Sequence, residues 1–178
     1  MANTLRADQD TVPMAGQELT IVRVFDAPRD ILWQCWTEPE RLMQWWGPRD
    51  HIMTIAALEL RPGGVFHYCL RSPMGQETWG LFTYMSISEP EKLVFLNSYA
   101  NITGAVARHP AIDTWPLEVF TIFHFTEAGS KTIFSMKSRP HNATAAEHLT
   151  YLDNRQNIKT GTAVTFEQLD RYLATVYK

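Results

Sequence analysis

VFHYCLRSPMGQETWGLFTYMSISEPEKLVFLNSY, residues 65–99, is the stretch on which the fold turns. It holds three alternating, apolar-rich runs, Val65 to Leu70, Glu77 to Ser88 and Lys92 to Tyr99, separated by Ser72-Pro73-Met74-Gly75 and Glu89-Pro90-Glu91. Alternation with period two marks strands, and connections this short join antiparallel neighbours. Upstream, residues 50–60 carry Ile52, Ile55, Leu58 and Leu60, and lead into the run through Arg61-Pro62-Gly63-Gly64. That tetrapeptide reads as a turn built on glycine's permissive backbone. Downstream, Leu117 to Thr126 and Lys131 to Ser138 add two strands across Glu127-Ala128-Gly129-Ser130, and a first strand starts near Glu18 with Leu19, Ile21, Val22, Val24 and Phe25. An antiparallel sheet of about seven strands follows.

Helical spacing flanks the sheet pattern. After Asp26-Ala27-Pro28, with Asp26 as the expected N-cap, Ile31, Leu32, Cys35 and Trp36 recur at helical intervals. Leu42, Met43, Trp45 and Trp46 make a second short apolar face that ends at Gly47-Pro48. Near the C-terminus, Thr144 and Glu147 have capping-box spacing, and Leu149, Leu152, Ala163, Phe166, Leu169, Leu173 and Val176 form a stripe. The polar segment Arg155 to Thr162, with Gly161, is where a kink is expected. The order is α+β: a curved antiparallel sheet around a long C-terminal helix, with two short helices after the first strand. Residues 1–17 read as a flexible lead-in and 18–178 as a single ligand-binding domain.

Composition closes off other classes. A net charge of −3 without a basic run gives nucleic-acid binding no footing. Two cysteines distant in sequence, Cys35 and Cys69, form neither a metal pair nor a disulfide framework, so a reducing cytoplasm is the expected compartment. The N-terminal stretch does not read as a secretory signal, and no run approaches the ~18 apolar residues of a membrane span. His51, His67, His109, His124, His141 and His148 show no metal-ligand spacing, and neither a metal nor a tightly bound cofactor is expected. Residues 101–116, broken by Gly104, His109-Pro110 and Trp115-Pro116, form a long loop of the kind that often serves function.

An ordered set of short motifs then becomes specific. Phe25-Asp26-Ala27-Pro28 leads into a helix with Trp33; Trp36-Thr37-Glu38-Pro39-Glu40, Trp45-Trp46-Gly47-Pro48, Leu60-Arg61-Pro62-Gly63-Gly64 and Gly80 follow. The chain resembles, from about Glu18 onward, the family named after the C-terminal domain of the activator of the heat-shock-protein-ninety ATPase, within the START-like, birch-pollen-allergen-like (SRPBCC) superfamily. Gly161 followed by Phe166, Leu169, Asp170 and Leu173 matches that pattern too, except that Thr162 stands where the family carries Trp. The resemblance implies a helix-grip fold, a cavity between sheet and last helix, and guests such as lipids, hormones or polyketides. It implies no single chemistry. The eponymous domain belongs to a two-domain co-chaperone for whose other half this chain has no room, so a chaperone partner is carried only as an alternative.

Strand parity nominates a cavity wall. Phe66, Tyr68 and Leu70 share a face, as do Trp79, Leu81, Thr83 and Met85, and Thr132, Phe134 and Met136; each set is expected to face the helix. Trp36, Trp46 and Phe166 join them from the helices, and Tyr68, Tyr99, Tyr151 and Arg155 are candidate rim groups, with Arg155 placed to meet an anionic guest. His124, between Phe123 and Phe125, points into the cavity if its face is concave and into solvent if not. Three readings result: a binding domain for a small hydrophobic or amphipathic ligand, a cavity-based enzyme such as a cyclase or hydratase, and a protein-interaction domain. A homodimer is the base-rate expectation for assembly.

Overall fold

In the computed structural model, which describes residues 18–177, the chain forms β1 (Leu19–Phe25), α1 (Arg29–Thr37), α2 (Pro39–Trp45), β2 (Ile52–Leu58), β3 (Val65–Arg71), β4 (Glu77–Ser88) and β5 (Lys92–Ala100). Then come β6 (Val106–Ala107), β7 (Glu118–Ala128), β8 (Lys131–His141), α3 (Ala145–Asp153) and α4 (Arg155–Val176). The proposed lead-in at 1–17 lies outside the described residues. The sheet is curved and open, ordered β1-β8-β7-β5-β4-β3-β2, with antiparallel pairing throughout and α4 as the long helix of a helix-grip fold. Strands β2 to β8 meander. The first strand instead pairs with the last, so α1 and α2 carry the chain from one edge of the sheet to the other.

Local chemistry accounts for most boundaries. At the turn before β3, a Cβ on Gly64 would sit 2.1 Å from the Glu59 carbonyl oxygen, so no other residue fits. Asn101 folds the following loop upon itself, its Oδ1 accepting from the Thr103 and Ala105 backbone N–H groups at 3.0 Å each. This brings Val106–Ala107 beside β5 as an eighth strand too short for periodicity to reveal. The Asp26 cap is not made: α1 starts after Pro28 without a side-chain cap, and Asp26 lies 3.5 Å from Lys131 instead. Nor does the C-terminal segment break within Arg155 to Thr162. It breaks at Asn154, and α4 runs through Gly161 because its hydrogen-bond ladder continues there.

The core is aromatic. Trp36 on α1 lies parallel to Phe134 on β8, 5.3 Å between ring centres, and meets Phe123 edge-on at 4.7 Å and Trp45 at 4.6 Å. From α4, Phe166 packs on Phe25 and Phe134, with Leu169 and Leu173 buried beyond it. Of the rest of the expected stripe, Leu152 is partly buried, and Leu149, Ala163 and Val176 are exposed. α4 is pinned at both margins, by an Arg23–Asp170 ion pair to β1 and by Thr165 and Gln168 donating to the Gly47 carbonyl. A second, smaller cluster of Leu19, Val119 and Tyr151 lies under α3, with Trp115 and Ile158 against it.

The capping box of α3 doubles as a clamp on the long loop. Thr144 Oγ1 accepts from the Glu147 N–H at 3.2 Å, the Glu147 carboxylate accepts from the Thr144 N–H at 2.8 Å, and Arg108 donates to the same carboxylate. The Arg108 bond, then the Thr144 N–H, hold the Glu147 carboxyl below the usual carboxylate range. A depressed folded pKa means that this stabilisation is complete above the unfolded value of ~4.3 and fades as pH falls through the folded one. Glu147→Gln should therefore cost about 1–2 kcal/mol at neutral pH. Urea titrations should show the gap to the native chain narrowing below about pH 4.

Candidate functional site

Between the two apolar clusters the sheet and α4 do not meet, leaving a cavity of about 390 Å³. Its floor is the concave face of β3, β4, β5, β7 and β8; its roof is Ile158, Gly161, Thr162, Thr165 and Phe166 of α4. Trp36, Trp46, Phe82, Phe95 and Phe123 make the wall largely aromatic, and Asn97, Tyr99, Thr121, Ser138 and Tyr151 set polar groups among these rings, Asn97 opposite Phe82 and Thr121 opposite Phe95. The long loop supplies a side wall. His109 Nδ1 accepts from the Ala111 and Ile112 N–H groups at 3.0 Å, and its ring meets both Tyr99 and Trp115, which line the cavity. Burial lowers the His109 pKa, which suits that acceptor role.

The polar groups of the wall are all neutral. None of the described residues lining the cavity is Lys, Arg, Asp, Glu or His. Its titratable side chains are phenols: burial pushes Tyr68 up to about 12 and raises Tyr99 and Tyr151 as well. For Tyr68 the Trp46 indole N–H opposes that rise, although it stops short of hydrogen-bond geometry. Tyr151 shares a 2.7 Å hydrogen bond with Ser138, and Thr121 donates to the Val119 carbonyl at 3.3 Å.

Of the nominated residues, Trp36, Trp46, Tyr68, Tyr99, Met136, Tyr151 and Phe166 line the cavity together. Phe66 and Phe134 lie behind them in the packed core. Trp79 borders the cavity, but its ring packs at a tilt against His67, 4.9 Å between ring centres, on the opposite face. Leu81 and Thr83 share that opposite parity, because Phe66 pairs with Phe82 and Tyr68 with Gly80; the inward set of β4 is Thr78, Gly80, Phe82 and Tyr84. Met85 sits at a register shift in β4 and is exposed. His124 is also a correction. It is exposed, opposite Lys92 and Ser135, since the buried face of β7 carries Val119, Thr121, Phe123 and Phe125. Arg155 does not line the cavity; its Nε donates to the Leu152 carbonyl at 3.2 Å.

Sequence reasoning passed over Asn97, Thr121 and Ser138, polar residues on inward faces, and Gly80, whose mid-strand position was the available signal. A Cβ at Gly80 would lie 2.3 Å from Tyr68 Cζ, so this glycine lets the phenol lie across β4. Thr162 also lines the cavity, at the position where the resembled family carries Trp.

Fold and cavity together define a helix-grip protein with an internal pocket. The chain belongs to the family described as Activator of Hsp90 ATPase homolog 1-like protein, whose model matches residues 26–174. Among solved structures it is similar to protein Ms6760 from Mycobacterium smegmatis, with 28% identity, a TM-score of 0.72, and coverage of 90% of this chain and 92% of that one. A protein from Arthrobacter aurescens shares the fold at 22% identity and a TM-score of 0.74, covering 93% and 90%. So does DynU16, described as belonging to the dynemicin biosynthetic locus, at 17% identity and a TM-score of 0.62, covering 89% of this chain and 48% of that one. A search of curated proteins returned no match.

Gly80→Ala should force the Tyr68 ring off Gly80 and lower stability by about 1–3 kcal/mol. A chemical denaturation midpoint equal to that of the native chain would contradict the close approach.

Proposed function

We propose that this domain binds an uncharged hydrophobic or amphipathic small molecule between its sheet and α4. The observation that carries the reading is a cavity of about 390 Å³ with a largely aromatic wall, a few neutral polar groups and no charged wall residue among those described. Its size lies within the roughly 300–1,000 Å³ of small-molecule sites, and apolar walls with a few polar groups are the usual recognition pattern. An anionic guest would bury its charge unpaired, a large cost, so neutrality of the wall favours a neutral guest. The enzymatic alternative rested on His124, which faces solvent, and the remaining titratable wall groups are phenols kept protonated at neutral pH. The two free, buried cysteines, the Cys35 thiol pushed up to about 11 by burial, accord with a reducing compartment such as the cytoplasm. Among the described residues no helix is long and apolar enough to cross a membrane.

A thermal-shift screen with lipids and with neutral and acidic aromatic compounds, followed by native mass spectrometry, tests the reading. A ligand at about a hundred times its Kd should raise Tm by roughly 5–10 °C. Thr162→Trp, which places an indole in the roof, should remove most of that shift. A screen in which no compound raises Tm, or a shift that persists in Thr162→Trp, would overturn the proposal.

A further inference from the structure

Not all the polar groups of the wall stand alike. Ser138 and Tyr151 share one hydrogen bond, and Thr121 spends its proton on the Val119 carbonyl. The hydroxyls of Tyr68 and Tyr99 and the carboxamide of Asn97 make no hydrogen bond of ordinary geometry with any described residue, yet all three line the cavity. They are also neighbours. Tyr68 and Tyr99 both pair with Gly80, one from each side, and Asn97 precedes Tyr99 by one inward position, opposite Phe82. A negative charge on Tyr99 is felt at Tyr68, which places the two phenols within electrostatic reach. The Trp46 indole N–H approaches the Tyr68 oxygen, so the Tyr68 proton is left to point elsewhere.

These three groups face the cavity and not a protein partner, so their hydrogen bonds are open to a guest. Here the three groups have a common complement. Two phenolic O–H groups and one amide N–H are donors, and the two lone pairs of a carbonyl oxygen can receive any two of them at a time. A carboxylate would match the donors but not the charge, since no described wall residue is cationic. A hydrocarbon would match the charge but leave the donors buried and unpaired. The rings of Trp36 and Phe123 in the same wall meanwhile suit a flat apolar ring system.

We propose that Tyr68, Tyr99 and Asn97 form a receptor for a neutral carbonyl oxygen, and that the cavity prefers aromatic ketones, esters or amides to the matching hydrocarbons and carboxylates. This rests on the binding reading above and adds the chemical class of the guest. Three naphthalene probes of similar shape separate the two ideas: acetylnaphthalene, ethylnaphthalene and naphthoate, titrated calorimetrically at neutral pH. The native chain should bind the ketone about tenfold or more tighter than either of the others. In Tyr68→Phe and Tyr99→Phe the ratio of ketone to hydrocarbon affinity should fall about five- to tenfold each, and Asn97→Leu should lower it as well. Reading the ratio keeps the test valid where a variant changes cavity shape or stability. Equal binding of ketone and hydrocarbon, a ratio unmoved by the tyrosine variants, or preference for naphthoate overturns the carbonyl receptor while leaving the cavity as a binding site. Failure of all three probes to bind the native chain counts against both.

Discussion

The flat contact between the indole of Trp36 and the ring of Phe134, at 3° and 5.3 Å, is the one on which the remaining structure depends. Trp36 comes from α1, Phe134 from β8, and around them stand Phe123 and Phe125 of β7, Trp45 of α2, Trp46, and Phe166 of α4. Protein interiors pack like organic crystals, so a stack of large rings sets the distance between layers as a wedge would. Here the sheet and α4 are held apart by the thickness of aromatic side chains. Between the rings the inward positions of β5, β7 and β8 include the smaller Asn97, Thr121 and Ser138, which line the cavity.

Charge is kept at the margins of this arrangement. Arg23 and Asp170 join β1 to α4, Arg108 and Glu147 join the long loop to α3, and Arg29 reaches Glu91 at 3.3 Å and Glu127 at 3.4 Å. The pairs of Arg23 and Arg29, whose carboxylate partners stay open to solvent, contribute only ~0–1 kcal/mol each, so they choose one placement of α4 and of the sheet edge while burial of the rings supplies most of the stability. Among the described residues the cavity wall is left to hydroxyls, one amide and rings, and recognition there depends on shape and neutral hydrogen bonds.

Much of this was legible in the chain. Turn chemistry at Arg61 to Gly64 and Ser72 to Gly75 bounded the central strands, the Thr144 and Glu147 spacing placed the start of α3, and the tryptophan-rich motifs pointed to the family that residues 26–174 match. In the candidate site, parity chose correctly for Tyr68 and Met136, where one face of the strand is plainly the more apolar. It chose wrongly on β4. There both faces are apolar, because the outer one, with Trp79 and Leu81, is itself covered: Trp79 packs at a tilt against His67, and His67 Nε2 bonds the Asn101 carbonyl of the overlying loop. His124 was ambiguous for a related reason, since Phe120, Ile122 and His124 mix apolar and polar character on the face that turned out to be convex.

Periodicity and turn residues are local properties, and the sequence by itself determined what is local: the strands, the helices, their order and the family. Which of two apolar faces looks inward, where α4 actually begins, and which polar side chains are left without partners depend on groups brought together from as far apart as Trp36 and Phe166. Only the tertiary structure decided those, because burial and hydrogen-bond satisfaction are relations between distant segments and no residue carries them alone.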